Sequence, residues 1–443
     1  MDNFLYLKTL FTNPGNRNID RLSELYANRA LLKSAIEELT GGVIHSESVF
    51  NKHILVKPNW VNHVRSQTDS ICLTTNHNLI LALIEVLLPL KPSKITVGDA
   101  PIQGCNWGKL HPAFFYEEIN TLAKSFKTDI LVRDFRRVVF DTAKNNLSVE
   151  QNPLSDYIIF DVGKKSFLEP ITRSDKNLFR VSQYDHERLA EVHRPGVHKY
   201  CISKALFEAD MVISMPKVKT HEKAGITAAL KNLVGVNGDK DYLPHHRTGG
   251  TSRGGDSYPG NNMLRNFAEH LLDIANKKIG KPSFRYWQKL AIEIWRLSSP
   301  GKVDQLGAAW HGNDTTWRMV LDLNRIAIFG MQNGQLAESP QRQLFSLCDG
   351  IIGGQGNGPL FPEPLPLGFL SFSDNAAMND YIFALLMKLN PEKLPLLKNA
   401  FTLYTANFDN LFLNGKRIKS ELLADYSVPA LPPPGWEDYL NEG

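Results

Sequence analysis

The sequence predicts an α/β fold: largely parallel sheets covered by helices, with two α/β lobes around a crevice and an inserted helical hairpin. Three observations carry this expectation. Short apolar runs of strand length alternate with longer runs of helical period. Most strand-like runs end in polar, Gly or Pro punctuation. Two amphipathic segments interrupt the alternation within residues 263–297.

Residues 1–42 read as a helical preface. Leu22, Leu25, Tyr26, Leu32, Ile36 and Leu39 keep near-helical spacing, Arg29 interrupts the stripe, and Gly41-Gly42 stops it. The first α/β lobe is expected over 43–250, with strands at 54–56, 95–97, 130–132, 157–160 and 211–214 and helices at 78–88 and 112–126. Residues 162–200 have few periodic apolar positions and read as a long excursion containing a hairpin. Residues 225–233 read as a short helix of small residues carrying Lys231. The segment 251–300 holds most of a Gly- and Ser-rich stretch (248–262), expected to be a mobile loop, and helices at 263–278 and 284–297. The second lobe, 301–420, is expected to contain a helix at 316–323, strands at 326–329, 350–352 and 369–372, and a helix at 377–389. The tail, 421–443, carries proline at 429, 432, 433 and 434 and reads as an extended, surface-docked segment.

Composition bounds the function. In 443 residues, 42% are apolar and 22% charged, as in ordinary globular proteins, and the formal net charge is only +4. No long Lys/Arg run occurs, which argues against nucleic acid or a membrane surface as the partner. Cys72, Cys105, Cys201 and Cys348 are far apart and form no C-x-x-C pair, so no iron–sulfur or zinc-ribbon motif is evident. With no recognisable signal peptide, a reducing cytoplasm is the expected setting. The longest apolar run, 79–90, is too short to span a bilayer and contains Glu85, so no transmembrane segment is expected.

The chemistry is expected where strands end. The strand at 54–56 runs into Lys57-Pro58-Asn59, and that at 95–97 into Gly98-Asp99-Ala100-Pro101. The strand at 211–214 is followed by Pro216, Lys217, Lys219 and His221, and that at 350–352 by a glycine loop holding Gly354, Gly356 and Gly358. Ligands of open parallel sheets bind beyond the carboxyl ends of strands, so these four ends predict one shared crevice. Lys217, Lys219 and His221 are spaced two apart, which puts them on one face if the segment is extended. A helix start built from small residues lets backbone N–H groups approach an anion, with Lys231 and Asn232 close by. Two imidazoles, His245 and His246, suit proton transfer near neutral pH, although adjacent residues on an extended loop point opposite ways and only one would face the site.

Each feature also has a structural reading. A single lysine is commonly solvated surface, Asp99 could cap a helix, and the small residues could only permit close packing. The glycine loop lacks the dinucleotide spacing and fits a backbone nest or tight turn better. No P-loop, no G-x-S-x-G elbow and no H-E-x-x-H occurs. His186, His193 and His198, near Asp185 and Glu187, could supply metal ligands, but their spacings match no standard site.

The segments VKPNW (56–60), VGDAP (97–101), MPKVKTHEKAGITAALKNLVG (215–235), GNDTTWRMVLDLNR (312–325), DGIIGGQGNGPL (349–360) and SDNAAMNDY (373–381) resemble, in order, the family catalogued as domain of unknown function 362. Gln355 stands where that family often has an acidic residue, and the ferredoxin-like cysteine module of many relatives is absent from this sequence. More distantly, His221-x-x-Ala224-Gly225 with Lys231 ten residues after the histidine resembles the signature of lactate racemase-type enzymes. That resemblance implies Lys231 as the lysine that holds a nickel-pincer nucleotide, His221 as a catalytic histidine, and His245 or His246 as a downstream ligand. Ala228-Ala229 replaces the Gly-Gly that precedes the lysine in those enzymes.

The resulting expectation is an enzyme that binds a small anionic substrate or a phosphate-bearing, nucleotide-like or metal cofactor and carries out an isomerase- or racemase-like proton or hydride transfer. Lys57, Asn59, Asp99, Lys217, Lys219, Asn232 and the backbone of Gly354, Gly356 and Gly358 would bind, while His221, Lys231, His245 and His246 would act in catalysis. Three alternatives stay open. One is a non-catalytic anion or cofactor carrier serving redox-cofactor assembly. Another is a sugar or phosphoryl transferase. The third is an interaction protein using the 263–297 helices for a protein partner or self-association.

Overall fold

The computed structural model of the chain describes residues 3–298 and 306–441. Twelve strands form its main sheet: β1 (Leu5–Thr9), β2 (His53–Pro58), β3 (Lys94–Asp99), β4 (Asp129–Asp134), β5 (Met211–Met215), β6 (Lys217–His221), β7 (Gly225–Thr227), β8 (Gln343–Gln355), β9 (Glu363–Leu365), β10 (Phe369–Ser373), β11 (Leu411–Leu413) and β12 (Lys416–Arg417). The order along the sheet is β12-β11-β1-β10-β8-β5-β2-β3-β4, with β6 and β9 added beside β8 and β7 beside β6. The run β8-β5-β2-β3-β4 is parallel throughout, and β10 pairs antiparallel with β8 and β1. Both α/β stretches expected from the sequence therefore contribute to one sheet, because β5 of the first lies directly against β8 of the second.

The central strands are buried on both faces, which is why they read as continuous apolar runs. Successive side chains feed opposite layers. Ile54, Val56, Ile213 and Met215 join the core under helices α1 (Ile19–Ala27), α2 (Arg29–Thr40), α3 (His77–Leu87) and α4 (Ala113–Phe126). Leu55 and Val212 join the core under α5 (Ala229–Asn232), the long helices α8 (Thr316–Phe329) and α9 (Ala376–Leu386), and the tail. An antiparallel pair, α6 (Met263–Asn276) and α7 (Ser283–Leu297), forms the inserted hairpin.

Several local expectations are corrected. The preface is not wholly helical, since β1 pairs with β10 and β11 in the main sheet. The stripe breaks at Asn28, whose side chain caps α2, and Arg29 beside it pairs with Glu85 and Glu118. Residues 326–329 are the last turn of α8 rather than a strand, because Ile326 and Ala327 continue its buried face. The expected helix at 225–233 is a strand, β7, followed by the short α5. Gly225, at φ +79°, lets β7 fold back antiparallel on β6. The glycine-rich loop 248–262 is tied down: the Asp256 carboxylate accepts from the Arg247 and Asp314 amides and the Thr315 hydroxyl. The tail docks on the 353–358 loop through Leu431, whose amide donates to Gln355 Oε1 and whose carbonyl accepts from the Gly356 amide. No helix among the described residues is long and apolar enough to cross a membrane.

Candidate functional site

A cavity of about 530 Å³ opens beyond the carboxyl ends of β2, β3 and β6. Five lysines line it: Lys57, Lys219, Lys223, Lys231 and Lys240. Two imidazoles, His221 and His245, and two carboxylates, Asp99 and Glu222, share the space. Ile102, Phe140, Val181, Tyr184 and Leu360 supply apolar wall. Asn59, Asn232 and Gly235 also border it.

One lysine is fully accounted for. Lys57, the residue before Pro58 at the end of β2, donates to the Pro58 carbonyl at 2.8 Å and to Asn232 Oδ1 at 2.9 Å, and pairs with Asp99 Oδ1 at 2.7 Å. Asp99, at the end of β3, also accepts from the Trp60 and Ala100 amides. Asn232 is held by donating to the Lys57 carbonyl and Ser214 Oγ. Gly235 makes room for the pair, since a methyl there would stand 1.8 Å from Asp99 Oδ1 and 2.7 Å from Lys57 Nζ. Burial pushes the Lys57 ammonium down, and Asp99 opposes the shift.

The other four lysines are poorly compensated. Lys219 has the Leu73 carbonyl as its hydrogen-bond acceptor, and burial pushes its pKa down to about 7. Lys240 reaches the Ala100 carbonyl at 3.4 Å, and burial again lowers it, to about 8. Among the described residues the amines of Lys223 and Lys231 have neither a hydrogen-bond acceptor nor an ion pair within 4.0 Å, while each loses affinity for its proton through burial. For Lys231 the positive charges of Lys240, Lys223 and Lys57 add to burial, and its pKa falls to about 7.

The two imidazoles take complementary tautomers. His221 Nδ1 accepts from the Lys223 amide at 3.0 Å, so its proton sits on Nε2. His245 Nδ1 lies 2.7 Å from the Leu243 carbonyl, which requires a proton there and leaves Nε2 with a lone pair. Both are pushed well below the ordinary imidazole range, first by burial and then by the charge of Lys231, so both are neutral near pH 7. The site thus holds a neutral donor and a neutral acceptor beside a group of amines.

Other expected residues sit elsewhere. Lys217 does not line the cavity: its amine pairs with Asp349 at 2.9 Å and donates to the Tyr26 hydroxyl and the Ile352 carbonyl inside the core. Lys217 and Lys219 part company because the ladder between β6 and β8 is irregular, with Lys217 opposite Asp349 but Lys219 opposite Gly354. His246 is buried in a bridge to Arg180, away from the cavity, as adjacency to His245 requires. Gly354 and Gly358 do not reach the cavity but let the glycine loop approach β6, since added methyls would clash with Lys219 Cβ and the Thr220 carbonyl. Gly356 turns the loop at φ +67°, its carbonyl accepting from Thr220 Oγ1, and Pro359 and Leu360 are what touch the cavity.

Sequence reasoning missed Lys223, Lys240, Glu222 and Asp380 as site residues. The first three are near neighbours of His221 and Lys231 in the chain, so charge within the 215–247 block was the available signal. Asp380 lies within the SDNAAMNDY segment (373–381), but nothing local marks its contact with the Lys231 turn. From α9 its carboxylate accepts from the Ala229 and Leu230 amides at 2.6 and 3.0 Å, which fixes the turn that presents Lys231, and burial raises its pKa to about 8.

The donor set favours nitrogen cations over a protein-built metal centre. Among the described residues no group of three or more His, Cys, Asp or Glu side chains could hold a metal ion. His193 and His198 bond to each other, His198 bonds to Glu169, and His186 lies beside Asp273. The four cysteines are free and buried.

Together, fold and site define an open-sheet α/β protein with a partly buried lysine cluster at the carboxyl ends of its central strands. The chain belongs to the family described as domain of unknown function 362 (DUF362), which matches residues 131–384. No curated protein matches it. Among solved structures it is similar to a crystal structure of a Thermotoga maritima protein determined as a structural-genomics target, at 10% identity and a TM-score of 0.31. The match covers 76% of this chain and 52% of that one, so the chain spans about half the length of that protein.

Proposed function

We propose that the cavity binds a small anion carrying carboxylate or phosphate groups, and that the chain is an enzyme moving a proton on that ligand in a cytoplasmic setting. The observation that carries this reading is the pair Lys223 and Lys231, cavity-lining amines with no acceptor among the described residues. Leaving an ammonium desolvated and unpaired costs several kcal/mol, and an incoming anion relieves that cost. His221 Nε2–H and the His245 Nε2 lone pair are suited to donate and accept a proton on a ligand held by the lysines. Thermal unfolding with millimolar inorganic phosphate, pyrophosphate, lactate and a chloride control tests the binding half. The phosphates or the carboxylate should raise the midpoint by several degrees in the wild type and not in Lys223→Ala. No shift with any of them would remove the reading.

A second reading is favoured by Lys231, His221 and His245 lining one cavity, the three positions the racemase resemblance implies. Bound there, a pincer nucleotide would supply hydride acceptance. Lys231 would hold it, and the two imidazoles would manage the substrate hydroxyl proton. Intact-mass and elemental analysis of freshly purified protein decides it, a mass equal to the bare chain counting against it.

A further inference from the structure

We infer that Lys231 is a nucleophilic amine that condenses with the carbonyl group of an anionic aldehyde or keto acid, so that the site's substrate class is the carbonyl-bearing carboxylate or phosphate. This rests on the anion-binding reading above and sharpens it. The geometry asks two things of an imine-forming lysine, and the site supplies both. The amine must be free of acceptors that would hold it as an ammonium ion, and among the described residues Lys231 Nζ has none. Groups must also stand by to move protons, and the cavity holds His221 with its proton on Nε2 and His245 with a free Nε2 lone pair.

The contrast with its neighbours singles out Lys231. Lys57 is locked as a cation by Asp99, Asn232 and the Pro58 carbonyl. Lys219 is tied to the Leu73 carbonyl. Lys223 lies beside Glu222 and Asp256, which favour its charge, whereas the largest charge effects on Lys231 come from Lys240, Lys223 and Lys57. Crowding by fixed cations and enclosure both favour the neutral amine, the form that attacks. The remaining lysines then have a task, which is to hold the substrate's anionic group. The Asp380 carboxylate, bonded to the Ala229 and Leu230 amides, fixes the turn that delivers Lys231.

The step balances without an oxidant or reductant. The Nζ lone pair forms a C–N bond to the carbonyl carbon as the C=O π pair moves to oxygen. His245 Nε2 takes a proton from nitrogen and passes it to that oxygen, while His221 Nε2–H steadies the oxygen by a hydrogen bond and stays neutral. Loss of water then leaves an imine, so that amine plus carbonyl becomes imine plus water. The imine draws electrons from the neighbouring carbon, whose proton or carboxylate becomes labile.

The test is reductive trapping on the wild-type chain. Glyoxylate or pyruvate is added with cyanoborohydride at pH 7, and peptide mass spectrometry locates the adduct. Lys231 should be modified at least about tenfold faster than exposed lysines such as Lys144, since at pH 7 an amine near pKa 7 is about half neutral while ordinary amines near 10.4 are almost wholly protonated. The rate at Lys231 should level off above about pH 8, and inorganic phosphate should protect it. Adducts spread over exposed lysines with Lys231 untouched would overturn the inference. In that case a phosphate-induced rise in the unfolding midpoint would leave anion binding standing, and its absence would remove both. Lys231→Arg keeps the charge, and it should abolish the fast adduct while preserving the phosphate shift.

Discussion

Lys217 and Lys231 lie fourteen positions apart in one block of sequence and are treated in opposite ways. Lys217 is fully buried, with Asp349, the Tyr26 hydroxyl and the Ile352 carbonyl each bonded to its amine. Lys231 faces a cavity with no acceptor among the described residues and with other lysines exerting the largest charge effects on it. The first arrangement is complete within the fold and joins α1, β6 and β8. The second has no ion pair within 4.0 Å among the described residues, which leaves the amine available to an incoming anion. A positive residue in an apolar block is therefore informative only once its partners are known.

The largest effect expected from this comparison is at Lys217. Lys217→Met leaves the Asp349 carboxylate buried without its cation and should cost about 3–5 kcal/mol, read by denaturant unfolding. A cost no larger than that of Lys231→Met would break the distinction. Next is Gly235→Ala, whose methyl would force Asp99 and Lys57 apart. A loss of about 2–3 kcal/mol is expected, together with weaker phosphate binding.

The smallest effect has the opposite sign. Lys231→Met should stabilise the ligand-free chain by about 1–2 kcal/mol at pH 7 while abolishing carbonyl trapping. The folded chain releases the Lys231 proton near pH 7, whereas the unfolded chain holds it to about 10.4. Between those values the unfolded state binds more protons, so wild-type stability gains on the variant as pH rises. The advantage of the variant should be full below about pH 7 and vanish near 10.5. A pH-independent difference would mean that the lysine is not forced toward neutrality.

Much of the site was legible because it follows strand ends. Lys57, Asn59, Asp99, Lys219, His221, Lys231, Asn232 and His245 border the cavity, and each stands in or near a segment flagged by the change from apolar to polar residues. Lys217 was misplaced because alternation assumes a regular ladder, and β6 slips against β8 between Lys217 and Lys219. The apolar wall from Val181 and Tyr184 was not legible, since the excursion 162–200 carries no periodicity that says where it folds. Neither was β1, a five-residue strand whose partners, β10 and β11, lie near the other end of the chain.

By itself the sequence determined the α/β class, the central parallel strands and the concentration of cations at their carboxyl ends, because apolar periodicity and punctuation are local properties of the chain. Only the tertiary structure decided which cations are neutralised. Counter-charges come from distant segments, as Asp349 does for Lys217, and the anchor of the Lys231 turn, Asp380, comes from 150 residues away. Pairing is a matter of a few ångströms between such segments, and no local pattern encodes it.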